Sequence, residues 1–336
     1  MSTSTEIKNG RVVRTFTGRT EYINEDRAYE LLRGTGLAPK LLYSFDNCRE
    51  YQIPEGETLW DRIQDAKGDA AELSRLFGLW ADWYDAFRKK TGFCLGGADL
   101  KDFVLTKDGL VGVNFEQCKK GYAECDIAAA VAQLCLEPHA FDPSGAALAR
   151  ALMKVAAGRL EYSPEILANH IRTAIKEKCR AAGIKADPAK TEYICTFSTM
   201  ALLTLEGGRH RAADIEGALA DVPEKANCSA DGDLCGRLAE SLEKIDQPWT
   251  FVLSTHMPAL PPILIRAMIC ADKEGFEAVA VESEGKLRDF PMLLRTEHAR
   301  YDMELAAKNG VQSAAQALKH RPVRIIRLED LEGHQR

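Results

Sequence analysis

Two groups of residues in this chain of 336 residues have the types and spacing for phosphate chemistry. The first group begins with Arg14 on a short predicted strand and ends with Asp99, Asp102 and Asn114, which flank a predicted hairpin. Cations hold phosphates, carboxyl and amide oxygens hold magnesium, and one carboxylate orients an accepting hydroxyl. This order of cation, hairpin and carboxylates is the layout of a phosphoryl-transfer site.

The second group lies nearer the carboxyl end of the chain. A Gly-Asp-Leu-Cys-Gly segment at residues 232–236 precedes a predicted strand, 249–253, which runs into Ser254-Thr255-His256. Open α/β folds bind their ligands in the crevice outside the carboxyl ends of such strands. We therefore expect His256 to lie at a ligand-binding edge of a sheet.

The elements that position the first group follow from hydrophobic spacing and turn residues. Asn24 is the expected N-cap of the first helix, and Asp108-Gly109 is a preferred two-residue hairpin turn. The predicted elements are a strand (10–16), a helix (24–33), paired strands (41–45 and 50–53), an amphipathic helix (71–89), a β-hairpin (104–113) and helices over 126–205.

A change of composition divides the chain. Residues 222–233 are polar and contain Pro, Asn, Ser and Gly, as linkers and binding loops do, so we place a module boundary near residue 220. Beyond it, short apolar runs at 249–253, 278–281 and 323–326 alternate with helical patterns. This alternation predicts an α/β module built around a largely parallel sheet.

Composition narrows the classes of partner and compartment. The chain is 46% hydrophobic and 28% charged with a formal net charge of −6, so it is an ordinary folded protein and nucleic acid is not an expected partner. Its polar amino end and the lack of an apolar run of about 18 residues predict a cytoplasmic protein without a membrane partner. The ten cysteines include no Cys-x-x-Cys pair, which argues against zinc and iron–sulfur sites.

Residues 11–16, 18–24, 36–41 and 55–59 resemble, in order and spacing, the N-lobe of choline/ethanolamine kinases, a branch of the aminoglycoside-phosphotransferase-like kinases. The resemblance covers roughly residues 8–135. It implies an α+β protein-kinase-like module over 1–220, with an N-lobe at about 8–56 and a helical C-lobe at about 57–220. Arg14 then stands where the family places the cation that holds the ATP phosphates.

The catalytic segment departs from the family pattern. Aligned without gaps, the family's His becomes Leu95, its catalytic Asp becomes Gly97, and its metal-binding Asn and Asp become Asp102 and Asn114. Glycine cannot accept a proton, so the chemical step loses a general-base contribution of ~10²–10⁴-fold. Shifting the alignment by two residues makes Asp99 the catalytic base. The loop between Asp99 and Asp102 is then shorter than the family's usual loop.

Residues 232–236 and 249–262 resemble molybdenum cofactor guanylyltransferases and their MobA-like relatives. The resemblance implies a smaller, Rossmann-like nucleotidyltransferase module over 221–336, truncated relative to the family, with Gly232, Gly236 and His256 at the nucleotide. His256 replaces a magnesium-binding carboxylate, and imidazole is a poor ligand for magnesium. Residues 202–211 resemble the family's opening glycine-rich loop, although we favour Gly207-Gly208 as the C-cap of a helix in the first module.

In each module, another residue stands where the resembled family has a functional carboxylate: Gly97 in the first module and His256 in the second. We therefore expect a degenerate nucleotide-related protein that binds its ligand without turning it over. The second resemblance links it to molybdenum cofactor maturation, with a molybdopterin-like ligand and an apo-molybdoenzyme partner. Three alternatives remain: a GTP- or CTP-dependent nucleotidyltransferase, a small-alcohol kinase using magnesium, ATP, Asp99, Asp102 and Asn114, and a non-catalytic interaction scaffold. Residues 136–220 are assigned to the kinase-like lobe, because helices follow the metal loop in that fold.

Overall fold

The computed structural model describes residues 3–8, 10–207, 219, 222, 224–228, 232–257, 260–271 and 273–332. The chain forms two compact units, Met1–Ala186 and Asp187–Arg336, called here the first and second unit. No helix within the described ranges has the length and apolar character needed to cross a membrane.

The first unit opens with an antiparallel sheet beside one long helix. Strands β1 (Ser4–Lys8), β2 (Arg11–Thr15), β3 (Leu41–Phe45) and β4 (Cys48–Gln52) lie in the order β1-β2-β4-β3, so the predicted strands are confirmed. Helix α1 (Arg19–Leu32) begins after an extended Gly18, five residues earlier than expected. Asn24 therefore lies inside the helix and is not its N-cap.

A second, three-stranded sheet carries the predicted hairpin. Its strands β5 (Glu57–Thr58), β6 (Phe103–Thr106) and β7 (Gly109–Gly112) lie in the order β5-β6-β7. The hairpin itself is confirmed, but its turn lies one residue earlier than expected: Lys107 and Asp108 connect the strands, and Gly109 already pairs with Thr106 as the first residue of β7. Gly109 takes a φ of +134°, a value that glycine adopts readily. The turn fixes the separation of Asp102 and Asn114.

Helices build the rest of the first unit. They are α2 (Leu59–Asp65), α3 (Ala70–Thr91), α4 (Ala123–Leu136), α5 (Pro143–Ala157) and α6 (Pro164–Ala181). Side chains of Asp69, Asp142 and Ser163 cap the amino ends of α3, α5 and α6 by accepting backbone N–H bonds. The aromatic stripe of α3 is core as its spacing predicts, with Phe77, Trp80 and Phe87 fully buried.

The second unit is a mixed sheet with helices. Its strands are β8 (Met200–Leu205), β9 (Glu224–Cys228), β10 (Trp249–Ser254), β11 (Ala278–Ser283), β12 (Lys286–Arg295) and β13 (Val323–Arg327), in the order β13-β11-β12-β10-β8-β9. Only the two pairings of β12 are antiparallel among those described. Its described helices are α7 (Pro188–Ser198), α8 (Leu234–Leu242), α9 (Pro262–Ile269), α10 (Thr296–Lys308), α11 (Ala314–Ala317) and α12 (Leu328–Glu332).

Alternation along the strands places helices on both faces of this sheet. Ala201, Leu203 and Leu205 of β8 belong to a cluster with α8 and α10, whereas Met200 and Leu202 belong to a cluster with α7 and α9. Successive strand residues point to opposite faces, so a continuous apolar run such as β8 indicates a strand that is buried on both sides.

Two expectations about the middle of the chain need correction. We placed the boundary near residue 220, but the compact units divide between Ala186 and Asp187, because β8 pairs with both β9 and β10. Helix α7 and β8 thus belong to the second unit and not to a kinase-like lobe. Gly207 does not end a helix either: it follows a strand and has a φ of +106°, so our C-cap interpretation was wrong, and Gly208 lies outside the described residues.

Candidate functional site

Arg14 on β2 is the centre of a buried polar network in the first unit. Its side chain is 7% exposed, and its Nη1 donates to Glu25 Oε2 of α1 at 2.5 Å. Its Nη2 donates to Asn114 Oδ1 and to Glu116 Oε2, each at 3.1 Å. Both terminal nitrogens of the guanidinium are thus hydrogen-bonded to side chains of the protein. A cation that holds phosphate must instead direct its N–H groups at the ligand, so this arrangement does not favour the predicted phosphate-binding role of Arg14.

Asp102 and Asn114 meet across the ends of the β6–β7 hairpin. Asn114 Nδ2 donates to Asp102 Oδ2 at 3.0 Å, while the Asn114 oxygen accepts from Arg14. Asp99, Asp102 and Asn114 line one cavity of about 30 Å³. That volume is far below the several hundred Å³ that ligand pockets usually measure.

Asp99 has a structural task at the edge of this cavity. Its Oδ1 accepts from the backbone N–H of Lys101 at 2.9 Å and from Gln133 Nε2 at 2.6 Å. It thereby caps the short 3₁₀ turn at residues 100–102 and ties it to α4. The oxygen that bears these bonds is poorly placed to accept a further proton.

Burial governs the titration of the acids in this network. Loss of solvent raises the pKa of Asp102 to about 6, although the amide of Asn114 opposes the shift. Burial also raises the pKa of Glu25, while the Arg14 cation acts in the opposite direction. Three carboxyl groups, those of Glu25, Glu116 and Asp102, surround the single cation of Arg14, an arrangement that disfavours a phosphate anion.

Gly97, which the kinase resemblance aligns with a catalytic Asp, belongs to a loop whose backbone binds Asp126. The backbone N–H groups of Leu95 and Gly97 donate to Asp126 at 2.6 and 2.9 Å, and Tyr84 Oη donates to it at 2.6 Å. Gly97 has a φ of +130°. This backbone conformation strains any residue with a side chain, so the loop favours glycine at this position.

The donor set does not fit the magnesium that the kinase resemblance implies. Magnesium needs hard oxygen ligands, and Asn114 presents its NH₂ group, not its oxygen, to Asp102. No group of three acidic, histidine or cysteine side chains able to hold a metal occurs in the described part of the chain. The first unit therefore lacks a preformed magnesium site among its described residues.

In the second unit, the carboxyl ends of β8 and β10 lie side by side. The two strands are parallel with Leu205 opposite Ser254, and the Thr255 N–H donates to Leu205 O at 2.9 Å. His256 follows directly and is exposed, as is Gly207 on the neighbouring strand end. The structure thus places His256 at the predicted edge of the sheet.

Gly232 and Gly236 lie at the start of α8. Asp233 caps this helix by accepting from the Gly236 N–H at 2.7 Å, and a Cβ on Gly236 would lie 2.6 Å from an Asp233 carboxylate oxygen. Gly232 has a φ of +103°. Helix capping accounts for both glycines, and no hydrogen bond described in the structure joins either of them to His256.

Sequence reasoning missed three acidic residues. Glu25 and Glu116 bind Arg14, and the available signal was the acidic character of the predicted helix that follows the strand of Arg14. Glu206 follows β8 at the same sheet edge as His256, and its position directly after an apolar run was the available signal. These residues have their roles because the fold brings distant segments of the chain together, which local spacing in the sequence does not show.

No protein family model matches the chain, and no curated protein matches it. Solved structures that resemble part of it include a choline/ethanolamine kinase family protein from Mesorhizobium loti, with 13% identity, a TM-score of 0.34, and 59% of this chain and 84% of that chain covered. Another is Plasmodium vivax ethanolamine kinase, with 12% identity, the same TM-score, and 59% and 75% covered. Both identities and TM-scores are too low to support an inference about activity.

Proposed function

We propose that this chain binds a nucleotide through its second unit without turning it over, and that its first unit is a non-catalytic kinase-like module. The observation that supports the proposal is the strand order of the second unit. Strand β9 follows β8 and pairs on one side of it, whereas β10 follows β9 and pairs on the other side. The crevice outside the carboxyl ends of strands at such a switch point is the usual ligand site of open α/β sheets.

The residues at this switch point suit a phosphate better than a catalytic metal. Glycine at position 207 lets the backbone approach a ligand closely, and the exposed His256 imidazole is a hydrogen-bond donor. Strand β10 ends at Ser254, and neither it nor the following Thr255 and His256 carries a carboxylate; the nearby carboxylate of Glu206 follows β8 instead. Binding is therefore expected without magnesium, and nucleotidyl transfer is not expected.

The molybdopterin-like ligand and the apo-molybdoenzyme partner rest only on the sequence resemblance of residues 232–236 and 249–262. Residues 258 and 259 of that motif lie outside the described structure. Gly232 and Gly236 are accounted for by the cap of α8. The proposed ligand is accordingly a nucleotide in general, with no assigned base or pathway.

Thermal unfolding with ATP, GTP or CTP, with and without magnesium, tests the proposal. A nucleotide at ~100 times its dissociation constant should stabilise the second unit by ~2.7 kcal/mol. His256→Ala should weaken binding, and Glu206→Gln should strengthen it because a nearby negative charge is removed. Asp102→Asn, in the first unit, should leave binding unchanged. Absence of a shift with every nucleotide, or a shift that only Asp102→Asn abolishes, would contradict the proposal.

A small-alcohol kinase is the second candidate function. Its supporting observation is that Asp99, Asp102 and Asn114 line one cavity. A kinase requires ATP and magnesium together and consumes ATP when choline or ethanolamine is present. Release of ADP in that assay, abolished by Asp99→Asn, would favour this candidate over the first.

A further inference from the structure

A second cavity in the first unit lies away from the polar network around Arg14. A cavity of about 730 Å³ is bounded by α1, the connection at residues 33–40, and strands β3 and β4. That volume falls within the range of small-molecule sites, which is roughly 300–1,000 Å³. No role in the proposed function involves this cavity.

Cations outnumber anions around the cavity. Arg33, Lys40 and Arg49 line it together with Asp26 and Glu30. Asp26 is already paired with Arg49. Arg33 and Lys40 are both exposed and have no ion pair among the described residues, so the rim offers two cations against the single carboxylate of Glu30. The rim therefore favours an anionic group.

Arg49 is a buried charge on the cavity wall. It is 2% exposed, donates to Ser44 Oγ at 2.8 Å and to Asp26, and lies over the Tyr22 ring at 4.3 Å from the ring centroid. Its Nε is buried and has no hydrogen-bond partner in the described part of the chain. A buried donor without an acceptor costs about 1–3 kcal/mol of folding free energy. An acceptor atom of a ligand that bonded to Arg49 Nε would remove this cost.

Aromatic rings form a preorganised part of the cavity lining. Tyr29 is stacked on Tyr51 with ring centroids 4.7 Å apart, and it meets Phe115 edge-on at 5.2 Å. In the adjoining connection, Thr35 Oγ1 donates to Leu32 O at 2.7 Å and accepts from the Leu37 N–H at 3.2 Å. These contacts hold the lining before any ligand arrives, which lowers the cost of binding.

We propose that the cavity between α1, the 33–40 connection and β3 binds a small molecule with a flat apolar body and one anionic group. The apolar body packs against Tyr29 and the neighbouring aliphatic side chains. The anionic group accepts hydrogen bonds from Arg33 and Lys40 at the rim. The site is separate from the nucleotide site proposed in the second unit.

Phenyl phosphate, titrated into the full chain by calorimetry, is the first probe. It should bind at least about tenfold more tightly than benzyl alcohol, which lacks the anion, and than inorganic phosphate, which lacks the ring. Equal affinity for phenyl phosphate and benzyl alcohol, or no binding of any probe, overturns the proposal.

Variants locate the probe. Arg33→Gln and Lys40→Gln should each weaken binding about three- to tenfold, since a charge-assisted hydrogen bond is lost. The control is Lys107, an exposed cation on the hairpin turn, and Lys107→Gln should not change binding. Ala38→Trp should abolish binding by filling the cavity. His256→Ala should have no effect, which separates this site from the second unit. Binding that survives both rim substitutions overturns the proposal even if Ala38→Trp fails to fold.

Discussion

The polar residues around Arg14 in the first unit, called here the polar cleft, differ in their bonding from those at the carboxyl ends of β8 and β10, called here the strand edge of the second unit. In the cleft, Arg14 is bound by side chains from α1 and from the segment after β7, and little space remains. At the strand edge, the backbone ends of β8 and β10 bind each other, whereas His256 and Gly207 are exposed to solvent. The comparison separates polar residues that hold the fold together from polar residues that remain available to a ligand.

The cost of breaking a buried ion pair explains why this network stays closed. Removing one partner from a buried ion pair leaves an unpaired buried charge, which is more costly than keeping the pair. Arg14 donates to Glu25, Asn114 and Glu116, so these residues hold one another in place. The first unit therefore keeps its cation and these partners together in a closed network.

Arg14→Met should give the largest effect, because it leaves Glu25 buried without its cation. We expect the first unit to lose about 3–5 kcal/mol of unfolding free energy. Urea unfolding in a Trp249→Phe background measures it, since the other three tryptophans, Trp60, Trp80 and Trp83, lie in the first unit.

The control for that change lies on the same strand. Arg11 forms an exposed ion pair with Glu50, so Arg11→Met should cost less than about 1 kcal/mol. Equal losses for the two substitutions would show that the Arg14 network is not a structural centre.

Asp126→Ala should have the next largest effect. The change leaves the Leu95 and Gly97 N–H groups and the Tyr84 hydroxyl without their acceptor. We expect a loss of about 2–4 kcal/mol. Hydrogen exchange of residues 93–97 reports the same event locally, and unchanged protection there would contradict the assigned role.

Asp102→Asn should stabilise the first unit at neutral pH. Burial raises the pKa of Asp102 from 3.8 to about 6, so the folded state binds this proton more tightly than the unfolded state does. The resulting stability is fully present below about pH 4 and is lost as the pH rises through 6. The variant should be about 1–3 kcal/mol more stable than wild type above pH 7, with the difference vanishing near pH 4 in urea titrations. A variant less stable at pH 8 would contradict this sign.

Thr250→Val should give the smallest effect, in the second unit alone. The buried Thr250 and Thr296 hydroxyls are 2.9 Å apart, but Thr296 also donates to Gln247 O, so its hydrogen bond survives the change. We expect a loss of about 1 kcal/mol, measured by Trp249 fluorescence during urea unfolding. A loss as large as that of Arg14→Met would remove the distinction between the two units.

The sequence was informative where one local pattern decided the structure. The hairpin over β6 and β7, the aromatic stripe of α3 and the apolar runs at β10, β11 and β13 were all predictable from spacing, although the hairpin turn lies one residue earlier than expected. Strand β12 was not predicted: Pro291 lies within it, and proline usually argues against an interior strand.

The candidate sites were less predictable, because their partners are distant in sequence. Arg14 and Asn114 are 100 residues apart, and Arg14 and Glu116 are 102 apart. Local spacing can show that a cation and carboxylates are present, but it cannot show that they bind one another. Similarly, the assignment of Gly207 depended on whether β8 was a strand or the end of a helix, and only its pairing with β10 decided this.

Hydrogen exchange of the full chain with the nucleotide that gives the strongest thermal shift tests the central claim most directly, because it locates the ligand. The account predicts slower exchange in peptides that cover residues 200–207 and 249–257, with no change at residues 93–117. Slower exchange confined to 93–117, enhanced by magnesium, would show that the first unit binds the nucleotide and that its acidic cleft is not closed.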